Sequence, residues 1–90
     1  MKIKENDLNR LGFSYMEVQP EESGDDHMWY YYTFDSCGVT FISQTSSDIV
    51  NDEWYVEFLE SHPPTRIKDL TKLETLINLL NKIQNEQDTP

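Results

Sequence analysis

The chain has 90 residues, with 17 Asp or Glu against 7 Lys or Arg, which gives a formal net charge of −10 at pH 7. This length supports one domain with a single core and excludes a deep active-site cleft between two domains. The acidic balance disfavours direct contact with nucleic acid and with anionic membranes, because phosphate groups repel a surface of like charge.

A short helix followed by a strand is predicted at the start of the chain. The helix covers residues 7–11, and Gly12 suits the left-handed position just after a helix end. Phe13 would then pack back on Leu8, as it does in a Schellman motif. The strand covers residues 13–19 and ends before a proline.

The next segments predict an exposed loop and a β-hairpin. Residues 20–26 are polar and acidic and form the loop. Residues 27–35 are rich in aromatic side chains and form the clearest strand of the chain. The order Asp-Ser-Cys-Gly at 35–38 suits a type I turn, which would lead into a second strand over 39–44.

The register of this hairpin assigns its side chains to two faces, because neighbours along a strand point to opposite sides. An even-numbered loop places Phe34 opposite Val39 and Tyr32 opposite Phe41. One face then carries Met28, Tyr30, Tyr32, Phe34, Val39 and Phe41, and the other carries Trp29, Tyr31, Thr33, Thr40 and Ile42. A bulge in either strand would exchange the faces of that strand.

After a polar loop over 45–53, a third alternating pattern predicts a strand over 54–60. Trp54, Val56 and Phe58 share one side of it, and Tyr55, Glu57 and Leu59 share the other. Two consecutive prolines at 63–64 interrupt the chain, and residues 66–68 could form a short edge strand.

From Leu70 onward the apolar residues follow a helical period. They recur at three- and four-residue spacing and form one stripe, which consists of Leu73, Leu76, Ile77, Leu80 and Ile83. Two starts are open: Asp69 is a good N-cap, and Thr71 with Glu74 forms a capping-box pattern. The helix is expected to end near Gln84 and to be followed by a frayed polar tail over 86–90.

The elements together predict an α+β fold of one small domain over residues 1–85. It consists of an antiparallel meander of four to five strands, a short N-terminal helix, and a C-terminal amphipathic helix on one sheet face. The helix has a single apolar stripe, whereas the sheet carries aromatic side chains on both faces. The sequence leaves open which face the helix covers.

The compartment is expected to be the cytoplasm. The first eleven residues lack the apolar stretch of a signal peptide, and no run of about 20 apolar residues could span a membrane. Cys37 is the one cysteine, which excludes an internal disulfide and suits a reducing environment.

Neither catalysis nor a cofactor is expected. Cys37, His27 and His62 lie in unrelated segments, without the spacing of a zinc site or of a nucleophile with its base. The acidic loop 21–26 lacks the ligand register of an EF-hand, and whether it binds a cation is open. We therefore expect no enzyme, no metal and no cofactor.

The distribution of charge gives the main functional hypothesis. No Lys or Arg lies between Arg10 and Arg66, a stretch that holds eleven Asp or Glu residues and all eleven aromatic residues. We expect an interaction module of the inhibitor, immunity or nucleic-acid-mimic type, which binds a basic protein through an aromatic and acidic sheet face. The residues expected to bind the partner are Trp29, Tyr31, Tyr55, Glu57, Asp52 and Glu53. The alternative is a structural or assembly protein that uses this face to self-associate or to dock in a larger complex, and we expect a monomer or a weak homodimer.

Overall fold

The computed structural model describes residues 1–24, 26–59 and 65–87, and this part of the chain forms three α-helices and one antiparallel sheet of five strands. The strands follow one another in the order β1-β2-β3-β4-β5, which confirms the predicted α+β meander. In chain order the elements are α1 (Glu5–Arg10), β1 (Ser14–Val18), α2 (Pro20–Ser23), β2 (Trp29–Ser36), β3 (Val39–Ser43), a 3₁₀ turn (Ser46–Asp48), β4 (Val56–Phe58), β5 (Thr65–Ile67) and α3 (Leu70–Gln87).

Helix α1 ends in the predicted Schellman motif. Gly12 has a φ of 94°, and the amide of Phe13 donates a 3.0 Å hydrogen bond to the carbonyl of Leu8. The helix begins two residues earlier than predicted, because Asp7 is the third residue of the helix and its side chain caps the helix start. Its carboxylate accepts a 2.9 Å hydrogen bond from the amide of Lys4, the N-cap residue.

The acidic segment after β1 differs from the predicted loop. It forms one turn of helix, α2, with Pro20 in the first turn and with Gly24 in the left-handed region at a φ of 80°. A proline at this place costs no hydrogen bond, since the first amides of a helix have no partner within it. Glu21 and Glu22 are exposed, as expected of a loop in this position.

The hairpin between β2 and β3 has a tighter turn than predicted. Cys37 and Gly38 form a two-residue loop with φ values of 54° and 78°, as a type I′ turn requires. Phe34 therefore pairs with Phe41, not with Val39, and the predicted register is wrong by two residues. The predicted faces are nevertheless right, because a shift of two residues leaves every side chain on its side.

Helices α1 and α3 cover the same face of the sheet. The buried core joins Tyr32, Phe41 and Val56 of the sheet region to Leu8 of α1 and to the apolar stripe of α3. The buried residues of that stripe are Leu70, Leu73, Ile77 and Leu80. The face on which the sequence placed Tyr30, Tyr32, Phe34 and Phe41 is thus the covered one.

The N-terminal segment shortens β4 relative to the predicted strand. Ile3 is fully buried, and its carbonyl accepts a 2.9 Å hydrogen bond from the amide of Trp54. On its other side, the backbone of Lys2 forms an isolated antiparallel β-bridge with Asp69. The segment thus lies between Trp54 and the start of α3, and regular pairing of β4 begins only at Val56.

Asp69 is the N-cap of α3, which decides between the two predicted starts. Its carboxylate accepts a 3.0 Å hydrogen bond from the amide of Lys72, the third residue of the helix. The helix extends to Gln87, three residues beyond the expected end. Within the described ranges, no helix is long and apolar enough to cross a lipid bilayer.

Candidate functional site

The candidate site is the sheet face opposite α1 and α3, which we call the open face. Strand alternation and the observed register place on it one row that crosses all five strands. This row consists of Ser14, Thr33, Ile42, Glu57 and Arg66. Trp29, Tyr31 and Tyr55 belong to the same face and are half-buried. Four of the six predicted site residues therefore share one surface.

The β1–β2 half of the open face is apolar at the end that holds Trp29 and Tyr31, whereas Ser14, Thr33 and Asp35 lie towards its other end. Trp29 and Tyr31 lie two residues apart on β2, and their ring centroids are 6.1 Å apart. Across the strand pair, Val18 is the partner of Trp29 and Met16 is the partner of Tyr31. Met16 is 42% exposed, so the apolar end presents apolar and aromatic surface to solvent.

The β4–β5 half of the open face carries a paired charge. The Nε of Arg66 donates a 3.2 Å hydrogen bond to the carboxylate of Glu57, which is its direct partner across the strands. The same guanidinium lies 4.8 Å from the ring centroid of Tyr55. Arg66 thus contacts two predicted site residues, Glu57 and Tyr55. Arg66 itself was not among the predicted site residues, because it lies at the border of the acidic segment.

Polar side chains at the end of β3 and just after it accept hydrogen bonds from backbone amides of the aromatic segments. The amide of Tyr32 donates to the hydroxyl of Ser43 at 2.9 Å, and the amide of Tyr55 donates to the side-chain oxygen of Gln44 at 2.9 Å. The amide of Tyr30 donates to the hydroxyl of Ser46 at 3.1 Å. These oxygens replace backbone carbonyls, so buried amides remain satisfied where β3 leaves its neighbours.

Asp52 lies apart from the open face and makes hydrogen bonds within the protein. Its Oδ1 accepts hydrogen bonds from the indole of Trp54 at 2.9 Å and from the amide of Glu5 at 3.2 Å. Its backbone is left-handed, with a φ of 54°. Asp52 therefore connects the loop before β4 to the first turn of α1, on the side of the sheet that the helices cover.

Glu53 lies at the margin between the two faces. Its carboxylate forms an ion pair with Lys2, and with Lys2, Trp54, Tyr55 and Lys68 it lines a shallow depression of about 230 Å³. The structure thus brings Glu53 close to Tyr55, but it does not place Asp52 beside Trp29 and Tyr31.

A cluster of aromatic rings and carboxylates on the covered face was not predicted as a unit. The ring of Tyr15 lies 5.2 Å from that of Tyr30, and the ring of Tyr32 lies 5.5 Å from that of Trp54. The carboxylate of Glu5 accepts hydrogen bonds from the hydroxyls of Tyr32, at 2.6 Å, and of Tyr30, at 3.4 Å. Strand parity indicates the shared face of the tyrosines, whereas nothing local indicates that Glu5 joins them.

These contacts raise the pKa of each tyrosine. Burial, and then the hydrogen bond to Glu5, raise the pKa of Tyr32 to about 12. Burial, followed by the negative charge of Glu5, raises the pKa of Tyr30. For Tyr15, partial desolvation is the larger cause of the raised pKa, followed by the negative charges of Glu17 and Glu5.

The candidate nucleophile and bases do not come together among the residues that the structure describes. The thiol of Cys37 donates to the carbonyl of Leu80 at 3.5 Å, and His27 lies exposed before β2. His62 and Asp25 fall outside the described ranges. Within those ranges, no three His, Cys, Asp or Glu side chains converge as ligands for a metal ion would.

Comparisons with known proteins give no homologue or structural neighbour to set beside this geometry. No family model matches the chain, and neither the curated proteins nor the solved structures contain a significant match. The function must therefore be argued from the surface itself.

Proposed function

We propose that the protein is a non-enzymatic interaction module that binds a basic protein through the open face of its sheet. The observation that carries the proposal is that α1 and α3 both pack on one face. Trp29, Tyr31 and Tyr55 lie on the other face, which neither α1 nor α3 covers. Large aromatic side chains of this kind are enriched where a few residues supply most of the binding energy.

The excess of acidic residues supports a basic partner. The net charge is −10, and the described ion pairs engage Lys2, Arg10 and Arg66 with carboxylates of the same chain. The remaining carboxylates create a negative field that accelerates the encounter with a positively charged protein. In this proposal the aromatic residues supply affinity, and the surrounding acids supply steering.

A titration with a basic nuclease or a basic DNA-binding protein tests the proposal. We expect binding that weakens as ionic strength rises, because salt screens the field over about 10 Å at 0.1 M. Tyr31→Ala should weaken binding about tenfold or more, as is usual for an aromatic residue at the centre of an interface. Leu79→Ala is the matched control, since Leu79 is an exposed apolar residue of α3, on the covered side of the sheet.

Two results would contradict this proposal. Binding that does not depend on salt would remove the electrostatic premise. An equal effect of Tyr31→Ala and Leu79→Ala would show that the open face is not the binding surface.

Self-association through the same face is a second candidate, and the local charges favour it. The open face carries Asp35 and Glu57, but also Arg66 and Lys68 on or beside β5. Two such faces do not repel each other as the net charge alone would predict. Light scattering during size-exclusion chromatography separates the candidates: a dimer that Tyr31→Ala dissociates supports self-association, and a monomer at high concentration contradicts it.

A further inference from the structure

Strand β1 forms one edge of the sheet and is regular over its whole length. Its five residues pair one-to-one with β2, from Ser14 opposite Thr33 to Val18 opposite Trp29, without a bulge. No other described strand pairs with its outer side. An edge of this kind presents backbone N–H and C=O groups that can pair with an additional extended chain.

The opposite edge, β5, is protected in a way that β1 is not. β5 has three residues with Arg66 at its centre, and Lys68 follows it directly. Short length and positive charge are common devices that prevent a further strand from adding to an edge. β1 contains neither Lys nor Pro, and its only charged residue is Glu17.

The two sides of the β1 edge differ in chemistry. On the side of the helices, Tyr15 is 47% exposed and stacks near Tyr30, and Glu17 is the next residue on the same side. The ring of Tyr15 lies 5.2 Å from that of Tyr30 and 5.8 Å from that of Tyr32, and the carboxylate of Glu5 accepts hydrogen bonds from the hydroxyls of both. The negative charges of Glu17 and Glu5 add to partial desolvation in raising the pKa of Tyr15. On the other side, Met16 and Val18 lie opposite Tyr31 and Trp29 and extend the apolar end of the open face.

We propose that β1 accepts an extended segment of a basic protein as a sixth strand of the sheet. Side chains of an added strand alternate between the two sides. Those beside Tyr15 and Glu17 would be cationic, since a carboxylate and an aromatic ring both attract a positive charge. Those beside Met16 and Val18 would be apolar. The positive charge of the segment rests on the proposed function, whereas the mode of strand addition rests on the edge alone.

A second copy of this chain fits the edge less well than a basic segment does. Antiparallel pairing of two β1 strands about Met16 would set Glu17 of each copy at diagonal positions, where like charges destabilise a strand pair. Each copy also carries a net charge of −10, which opposes close approach.

The probe that tests this proposal is an end-capped peptide of alternating Lys and Val, about seven residues long, which is enough to span β1. Two control peptides are used with it. The first has the same composition, but its Lys and Val residues are grouped in two blocks. The second carries N-methyl groups on those backbone amides of the peptide that would donate hydrogen bonds to β1. We expect the alternating peptide to bind at least about tenfold more tightly than either control and to slow amide hydrogen exchange in β1.

Two charge reversals locate the site. Glu17→Lys should weaken binding of the alternating peptide about tenfold, because attraction becomes repulsion beside the added strand. Glu21→Lys changes the net charge equally, but Glu21 lies in α2, outside the edge, and this variant should change the affinity by less than about threefold. Circular dichroism of both variants verifies that the fold is retained.

Several outcomes would overturn the inference. Equal binding of the alternating, block and N-methylated peptides would show a general attraction of charge without strand addition. Equal effects of Glu17→Lys and Glu21→Lys would show the same. A dimer that Met16→Lys dissociates would assign the edge to a second copy. Failure of the peptide together with salt-dependent binding that Tyr31→Ala weakens would overturn the edge proposal while the proposed function stands.

Discussion

The hydroxyl of Tyr32 donates a 2.6 Å hydrogen bond to the carboxylate of Glu5, and this bond connects the centre of the sheet to the first turn of α1. Tyr32 is 2% exposed, and the side-chain Nδ2 of Asn9 donates a 3.5 Å hydrogen bond to its hydroxyl. The contact joins residues 27 positions apart and fixes how α1 lies on the covered face.

The burial of Tyr32, together with this contact, predicts a loss of stability at high pH. The pKa of Tyr32 is about 12 in the folded protein and about 10 when the chain is unfolded. Because the folded value is the higher one, the stabilisation is complete below pH 10 and is lost as the pH rises towards 12. Urea unfolding at a series of alkaline pH values measures the effect.

Tyr32→Phe serves as the control for this prediction. The variant should be less stable than the parent at neutral pH, since Glu5 loses a hydrogen-bond donor, by about 1 kcal/mol. The difference between the two proteins should shrink between pH 10 and pH 12. A difference that stays constant across this range would contradict the assigned contact.

The N-cap of α3 predicts that replacing Asp69 lowers the thermal stability of the protein. Asp69→Ala should lower the melting temperature by about 5 °C, because the amide of Lys72 loses its acceptor. The amino group of Met1, and then the amide of Lys72, lower the pKa of Asp69 below its ordinary value of 3.8. The stabilisation is therefore present above that value and is lost as the pH falls through the lower, folded value.

Thr71→Ala is the matched control for Asp69→Ala, since Thr71 is the alternative cap that the sequence suggested. It is exposed and lies inside the helix, so we expect little change in the melting temperature. A larger loss for Thr71→Ala than for Asp69→Ala would mean that the helix begins two residues later.

The tight turn between β2 and β3 predicts a stabilising substitution. Cys37 has a φ of 54°, a conformation that Asn adopts more readily than other residues with a side chain. Cys37→Asn would create an Asn-Gly turn with the native Gly38 and should stabilise the protein by about 0.5 kcal/mol. Cys37→Val should destabilise it by about 1 kcal/mol or more. Denaturant unfolding of the two variants measures the difference, and the opposite order would contradict the two-residue turn.

The charge excess predicts that moderate salt stabilises the fold. The net charge of −10 produces repulsion across the surface, and the described ion pairs are exposed and individually weak. Raising the salt concentration from low to moderate at neutral pH should therefore raise the melting temperature. A lower melting temperature would mean that the ion pairs outweigh the repulsion.

The strand residues of the site were predictable from the sequence, whereas the loop residue Asp52 was not. Trp29, Tyr31 and Glu57 share a face because of strand alternation, a local property that tolerates an error of two residues in register. The position of Asp52 apart from these residues was not predictable, because its hydrogen bonds to Glu5 and Trp54 depend on the docking of α1. No local pattern encodes a contact of that kind.

The amino-acid sequence by itself determined the strand and helix periods, the Schellman end of α1 at Gly12, and the concentration of charge between Arg10 and Arg66. These depend on neighbouring residues along the chain. Only the tertiary structure decided which aromatic face is covered, that the β1 edge is regular and free of a bulge, and that Arg66 pairs with Glu57. The physical reason is that burial and pairing depend on which segments meet in space, and a helix with one apolar stripe can satisfy only one of two aromatic faces.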